Sequence, residues 1–514
     1  MMELSTGTKN LVKFILDDWK LLLILTIVFL LYFYYTSTHD FFEKRGIKFM
    51  KPVFLVGNLG ERLRGIKSFH DFQLDIYNYF KGQPYGGIFE GRRPILYLID
   101  SDIIKAVTIR DFDHFTDRNG FRSREPRYLS RSILNLKGSE WKAVRSIMTP
   151  SFSSSRLKNM IPLLQTCADQ MVGFLSQFDK KDIEMKDMMG HFTLEVIGAS
   201  AFGIRSDALT DENAKFVKVA EKVSDMSMPK RLLIFFVLIF MPSFIRFFNI
   251  SFLNREVVEK LNDMLQVTKA QRRTTKDKHN DFLQLLMDAA EKEKEQLGSN
   301  HSEMHLDDDT VDAQSIIFLV AGFETSSTLL SFAVHVLATK PELQEKLREH
   351  VITVTEGKEI NYDLLTQLDY LEAFLLETLR IYPPVSRIDR VVTKPYVLPG
   401  TSIKLNVGQA VAIPIYGIHM DPNIYPEPHE FRPERFLKDA KVDRPSHLFL
   451  AFGAGPRNCI GLRFAMISAK LAMVALMKNF RFKTCPKTED PVQFDKRAVL
   501  LKASSGLYVN LEKI

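Results

Sequence analysis

Cysteine is scarce in this chain, which has only Cys167, Cys459 and Cys485 among its 514 residues. An odd number of widely spaced cysteines excludes the disulfide framework of a small secreted protein and favours a reducing compartment that faces the cytosol. The cysteines are therefore expected to be free thiols or ligands.

The chain also lacks internal repeats, low-complexity segments and any long block of lysine and arginine. Its 69 basic and 62 acidic residues are scattered, so the net charge of +7 does not mark a nucleic-acid-binding arm, and we expect no nucleic-acid partner. The basic surplus suits an acidic partner or a membrane surface. A content of 46% hydrophobic residues predicts a globular protein whose core can bury a bulky cofactor.

A long apolar run lies near the N-terminus, from Leu21 to Tyr35. No small-residue cleavage site follows it, so we interpret residues 1–40 as an uncleaved membrane anchor rather than a signal peptide. A basic segment, residues 44–51, comes next and predicts that residues 41–514 lie on the cytosolic side. A second apolar run, Leu232 to Met241, is too short to span a membrane and is either an interfacial segment or a core helix.

Periodicity along the chain predicts a mainly α protein with small β-sheets (α+β). Short alternating runs between Phe54 and Gly120 indicate a small antiparallel sheet. Helical spacing dominates from Lys137 to about Val354, and the chain becomes rich in proline and glycine after Ile388. We expect one large domain after the anchor.

One of the rare cysteines stands in a distinctive loop, FGAGPRNCIG, where Cys459 follows Arg457 by two residues and glycines lie on both sides. The apolar spacing from Leu462 onward predicts a helix, so Cys459 lies at a helix N-terminus, where the thiol pKa should fall. Glycines allow the backbone to approach a bulky flat group. These residues alone leave Cys459 as a buried hydrophobe, a nucleophile or a metal ligand.

A second distinctive patch lies in a long predicted helix, Thr310 to Thr339, which ends before Pro341. Its centre reads AGFETSST and contains Gly322, Glu324 and Thr325. Glycine and hydroxyl residues weaken a helix interior, and such departures are typical of functional sites. A polar kink or a helix–helix contact is the alternative.

Two helical motifs pair charged or aromatic side chains. ETLR places Glu377 and Arg380 three residues apart among leucines, which predicts a buried ion pair that needs a further partner. Arg435, in the proline-rich stretch PEPHEFRPERF, is the natural third member. WKAVR places Trp141 and Arg145 on one helical face.

Together these segments resemble the cytochrome P-450 family of haem-thiolate monooxygenases. The cysteine loop matches the family pattern F-x-x-G-x-R-x-C-x-G, the helix patch matches A/G-G-x-E/D-T, and the motifs occur in family order from about Phe41 to the C-terminus. The sequences of these motifs most resemble those of insect microsomal detoxifying members of the family. One departure is FMKPVFLVGNL, in which Pro52 alone stands where the family has a Pro-Pro-Gly-Pro hinge.

The resemblance implies the cytochrome P-450 fold, with residues 41–514 as a single haem-thiolate catalytic domain and the long helix lying over haem b. It makes Cys459 the axial ligand of the haem iron, since a thiolate ligand favours O–O cleavage. It makes Glu324 and Thr325 the catalytic pair that relays protons. The positions that match partners of the haem propionates are Trp141, Arg145, Arg390 and Arg457. The positions that match a structural triad are Glu377, Arg380 and Arg435.

The implied reaction inserts one oxygen atom from O2 into hydrophobic small molecules, such as insecticides and plant compounds. Electrons come from an NADPH-dependent flavoprotein reductase, so NADPH acts indirectly, and cytochrome b5 is a further candidate partner. The implied location is the endoplasmic reticulum membrane, in contact with lipid and facing the cytosol. Alternatives are a hydroxylase of an endogenous hormone, fatty acid or terpenoid, a reductase-independent haem-thiolate isomerase, and a non-catalytic haem carrier or sensor. The presence of both Glu324 and Thr325 counts against the isomerase.

Overall fold

The computed structural model describes residues 6–119, 130–203, 209, 254–275, 281–297, 305–438, 440 and 444–514, with side chains from residue 19 onward. The apolar run predicted at Leu232 to Met241 lies outside these ranges. The predicted fold class is confirmed, because helices form most of the described chain and the sheets are small. The α-helices of the described ranges are α1 (Thr6–Thr36), α2 (Gly60–Leu63), α3 (Phe69–Phe80), α4 (Ser101–Lys105), α5 (Gly138–Met148), α6 (Ser154–Leu175), α7 (Met185–Ile197), α8 (Arg255–Thr275), α9 (Phe282–Leu297), α10 (Asp308–Thr339), α11 (Pro341–Thr355), α12 (Tyr362–Gln367), α13 (Asp369–Ile381), α14 (Ile415–His419) and α15 (Leu462–Asn479).

Short strands form three sheets in the described part of the chain, with the orders β1-β2-β7-β4, β3-β9-β8 and β5-β6. The strands are β1 (Tyr85–Glu90), β2 (Arg93–Leu98), β3 (Lys181–Glu184), β4 (Ile388–Val391), β5 (Tyr396–Val397), β6 (Lys404–Leu405), β7 (Ala410–Ile413), β8 (Phe480–Lys483) and β9 (Tyr508–Lys513). The predicted antiparallel pairing near residue 90 is present between β1 and β2. The first sheet is nevertheless mixed, because β7 pairs with β2 in parallel.

The long helix α10 runs through the core. It begins at Asp308, two residues before the predicted start, because the Asp307 carboxylate accepts a hydrogen bond from the Thr310 amide at 2.9 Å and caps the helix. Its 32 residues extend about 48 Å at 1.5 Å per residue. It packs most extensively on α7 and also contacts α15, and a helix that is apolar on most sides is expected to be buried in this way.

The N-terminal helix α1 contains the apolar run of the predicted anchor. Within the described residues, α1 and α10 are the helices long and apolar enough to cross a membrane, but half of the α10 window is buried in the protein. The corresponding window of α1, Trp19–Thr36, has a mean hydropathy of 1.8 and is only 6% buried. Its length and exposure suit a membrane span, whereas α10 is a core helix.

The connection between α1 and the body is packed rather than open. Phe54 contacts the ring of Tyr32, with centroids 5.4 Å apart, and the guanidinium of Arg92 lies 3.8 Å from the ring centroid of Tyr34. Phe42 is buried and packs edge-on against Phe89 at 5.2 Å. These aromatic contacts occupy the region where the family pattern has a proline-rich hinge.

Candidate functional site

The cysteine loop is held by its own backbone hydrogen bonds. The Cys459 amide donates to the Phe452 carbonyl at 2.8 Å, and α15 begins three residues later, so Cys459 lies just before a helix N-terminus. Gly453 and Gly455 both have a φ of +72°, which L-residues rarely adopt. A Cβ at Gly455 would also lie 1.7 Å from the Thr108 carbonyl oxygen. At Gly455, therefore, glycine is required by the neighbouring backbone rather than by a flat group.

The thiol of Cys459 has exposed surface, yet protein atoms enclose most of its surroundings. Burial raises the pKa of Cys459, although the Gly461 amide and the guanidinium groups of Arg145 and Arg118 act in the opposite direction. The predicted fall in this pKa is therefore wrong for the protein alone, because desolvation outweighs the helix terminus and the nearby cations. Both facts suit a side chain that faces an interior cleft, where a bound metal cation would favour the thiolate.

Four arginines gather around this loop. Arg145 donates to the carbonyl and side-chain oxygens of Asn458, at 3.0 Å and 2.9 Å. Arg118 donates to the Arg457 carbonyl at 3.3 Å. Arg390, on β4, is buried and is coupled electrostatically to Arg118. The fourth member is Arg457 of the loop itself. The family resemblance implied Arg145, Arg390 and Arg457, whereas Arg118 was missed because it stands in a coil with no motif of its own.

Arg457 connects the loop to the segment before α5. Its guanidinium donates to the carbonyls of Thr116 and Leu136, the latter at 2.8 Å, and lies 4.7 Å from the ring centroid of Trp141. Trp141 thus reaches the cluster through a cation–π contact with Arg457. The two residues that the sequence placed in separate motifs are neighbours.

Among the described residues, the arginines of this cluster outnumber the carboxylates that act on them, which are Asp117 and Asp389. Burial is the largest cause, and the charge of adjacent arginines a further one, that together lower the pKa of both Arg390 and Arg457 to about 9. The Nε atoms of these two residues have no hydrogen-bond acceptor in the described part of the chain. Buried cations need an anionic partner. A bound haem would supply two carboxylates as acceptors for these donors, and the Cys459 thiol could bind its iron.

Glu324 and Thr325 lie in the middle of α10. The Thr325 hydroxyl donates to the Ala321 carbonyl at 2.8 Å, and a Glu324 carboxylate oxygen lies 3.3 Å from the Nζ of Lys186 on α7. A Cβ at Gly322 would lie 2.6 Å from Ile197 Cδ1. The helix–helix alternative for this patch is therefore partly correct, because Gly322 allows α7 to approach α10.

The Glu377–Arg380 pair is fully buried, with both side chains 0% exposed. Arg380 donates to both Glu377 oxygens, at 2.7 Å and 2.8 Å, and to the His419 carbonyl at 2.9 Å. The Nε of Arg435 lies 3.3 Å from the Oε1 of Glu377, as the sequence predicts for the third member of the triad. These contacts join α13 to His419 and to the segment that contains Arg435, so they are suited to stabilising the fold.

The helix that contains Glu324 and Thr325, α10, contacts the helix that follows Cys459, α15. Phe318 of α10 and Phe464 of α15 are in ring contact, with centroids 5.8 Å apart. Within the described ranges, no group of three or more His, Cys, Asp or Glu side chains could hold a metal ion.

Comparison with known proteins gives one consistent result. The sequence model described as cytochrome P450 matches residues 48–510. Cytochrome P450 9e2 of Blattella germanica is 36% identical over 515 positions, which cover 95% of this chain and 96% of the relative. Cytochrome P450 6a8 of Drosophila melanogaster is 34% identical, covering 94% and 97%. Cytochrome P450 3A6 of Oryctolagus cuniculus is 36% identical, covering 95% of each chain.

Proposed function

Because this chain belongs to the cytochrome P450 family and is a haem monooxygenase of that family, we propose that it oxidises hydrophobic foreign compounds, such as insecticides and plant compounds. We further propose that its electrons come from an NADPH-dependent flavoprotein reductase. The observation that supports a haem-thiolate site is the placement of Cys459 beside a surplus of buried arginines.

Cys459 would hold the iron of haem b, and the arginine cluster would hold its carboxylates. When bound, a haem with a thiolate ligand supplies the activation of O2 and the transfer of one oxygen atom to the substrate. The protein side chains that would bind the carboxylates are Arg118, Arg145, Arg390 and Arg457, with Trp141 supporting Arg457.

We propose that Glu324 and Thr325 deliver protons during the reaction. The Thr325 hydroxyl hydrogen is directed to the Ala321 carbonyl, so the oxygen lone pairs are free to accept a proton donor such as water. The Glu324 carboxylate, one residue earlier, can hold and pass a proton. The presence of this pair supports a monooxygenase over a reductase-independent isomerase.

An apolar substrate is supported by the residues that precede this pair. Ile317, Phe318, Val320 and Ala321 retain exposed surface, although most of α10 is buried. An apolar surface beside a polar pair is suited to orienting a hydrophobic molecule by exclusion of water. Hydroxylation of a hormone, fatty acid or terpenoid would use the same surface.

We propose a location in the endoplasmic reticulum membrane, with the catalytic domain on the cytosolic side. The exposed apolar window of α1 and the basic segment that follows it support this orientation. Membrane lipid and the reductase are then partners, and cytochrome b5 is a further candidate.

The thiolate assignment is tested by the absorption spectrum of the reduced protein with carbon monoxide. We expect the strongly red-shifted Soret band of a thiolate-ligated haem in the wild type and in Cys485→Ser, and its loss in Cys459→Ser. Cys485 is a suitable control because it is another partly accessible thiol, remote from the arginine cluster in sequence. An unshifted wild-type band would overturn the assignment.

The substrate class is tested in membranes supplemented with the reductase. Broad NADPH-dependent turnover of insecticides and plant phenolics supports detoxification. Tight turnover of one endogenous compound replaces it with the biosynthetic alternative. Haem binding without any NADPH-dependent product supports the carrier or sensor.

A further inference from the structure

A half-buried lysine contacts Glu324, one member of the proposed relay pair, from a neighbouring helix. Lys186 is the second residue of α7, and its side chain is 21% exposed. Its ammonium donates to the Glu324 carbonyl at 3.0 Å, the Ser327 hydroxyl at 2.7 Å and the Thr328 hydroxyl at 2.8 Å. All three acceptors belong to the turn of α10 that contains Glu324, so the lysine is anchored at that turn.

The Glu324 carboxylate is a fourth and more distant partner, at 3.3 Å from the same nitrogen. An ammonium group has three protons, and the three closer acceptors match them. The carboxylate is therefore attracted by charge, but its departure would leave no ammonium proton without an acceptor. The carboxylate can therefore rotate away from Lys186 at a lower cost in free energy than in an ion pair whose ammonium has no other acceptor.

Glu324 is also the main counter-charge of this lysine. Burial lowers the pKa of Lys186, and Glu324 is the strongest influence that opposes the shift, followed by Glu184. The Glu184 carboxylate already accepts backbone hydrogen bonds from Asp187 and Leu507, each at 2.7 Å. Lys502, the other charged group that acts on Lys186, is a cation and lowers its pKa.

We propose that Lys186 is a positioning residue for proton delivery, which holds the Glu324 carboxylate against α7 and can release it while remaining hydrogen-bonded to α10. The role rests on the proposed function, since it assumes that Glu324 moves protons. It also explains why hydroxyl residues occupy positions 327 and 328 of a buried helix, where they serve as acceptors for the lysine.

The test compares Lys186→Met, which removes the charge, with Lys186→Arg, which restores it. Lys502→Met is the matched control, because Lys502 is an exposed lysine near the same site that makes no described contact with Glu324. The first readout is spectroscopic: the C–O stretching frequency of the reduced carbon monoxide complex, measured by infrared absorption as a function of pH. This frequency senses charge near the bound gas and requires no turnover.

We expect a change in the pH profile of the C–O frequency in Lys186→Met relative to the wild type, because the variant lacks the cation that neighbours the Glu324 carboxylate. The change should disappear in the double variant Lys186→Met/Glu324→Gln and should be absent from Lys502→Met. Lys186→Arg should behave like the wild type.

The second readout is the fraction of NADPH that yields product rather than peroxide, again as a function of pH. We expect this fraction to fall in Lys186→Met and to recover in Lys186→Arg. A variant with the wild-type infrared profile and wild-type coupling at every pH would overturn the positioning role. Loss of the red-shifted carbon monoxide band in the wild type would instead overturn the proposed function, so the two failures are distinguishable.

Discussion

Two of the arginines around the Cys459 loop, Arg390 and Arg457, are buried, and burial of a charged side chain costs free energy. Within the described part of the chain, the Nε atoms of Arg390 and Arg457 have no acceptor, and burial lowers the pKa of both side chains because it removes water. Arg118 adds a further cation to the same group. A cluster of this kind is unfavourable in the empty protein and becomes favourable when an anion binds, so it stabilises the holoprotein selectively.

The first prediction concerns Arg118→Met. We expect the affinity for haem to fall by about tenfold or more, which corresponds to the loss of one charged hydrogen bond, while the haem-free protein becomes no less stable. Haem transfer to an apoprotein acceptor measures the first quantity, and thermal unfolding of the haem-free form measures the second. Arg110→Met, at an exposed arginine paired with Asp111, is the control. Haem retention equal to that of the wild type would remove Arg118 from the site.

At the scale of elements, the cysteine loop depends on its fit against another segment. Gly455 and the backbone of Thr108 lie in close contact, and Arg457 donates to the carbonyls of Thr116 and Leu136. The loop is thus held from outside as well as by its own hydrogen bonds. Its shape is a property of two segments that are more than 300 residues apart.

The second prediction compares two glycine-to-alanine substitutions. Gly455 and Gly400 have φ values of +72° and +70°, but a Cβ at Gly400 would meet no atom within 4 Å. We expect Gly400→Ala to cost about 1 kcal/mol of unfolding free energy from backbone strain alone. Gly455→Ala should lower the thermal midpoint further and reduce haem content, because the Cβ collides with the Thr108 carbonyl. Equal effects of the two substitutions would contradict the packing account.

At the scale of the whole molecule, the anchor and the body meet through buried aromatic residues. Tyr35 and Phe42 are buried, although they lie at and just beyond the end of the apolar helix α1. The boundary of the membrane segment and the boundary of the folded body therefore do not coincide. The last turn of α1 contributes to the stability of the body.

The third prediction concerns two N-terminal deletions. Removal of residues 1–31 should release the protein from alkali-washed membranes, or leave only weak attachment, with little change in the thermal midpoint. Removal of residues 1–42 should also lower the midpoint, because loss of a buried phenylalanine costs about 3 to 5 kcal/mol. Membrane sedimentation and thermal unfolding measure these outcomes. Identical midpoints for the two deletions would show that Tyr35 and Phe42 do not stabilise the body.

The sequence by itself determined the features that depend on neighbours along the chain. The cysteine at a helix start, the long helix that contains Glu324 and the pairing of Glu377 with Arg380 all follow from residue type and local spacing. Only the tertiary structure decided that Arg118 joins Arg457, that Lys186 contacts Glu324, that β7 pairs in parallel with β2 and that burial raises the thiol pKa. These outcomes depend on contacts between distant segments and on exclusion of water, and no local pattern specifies either one.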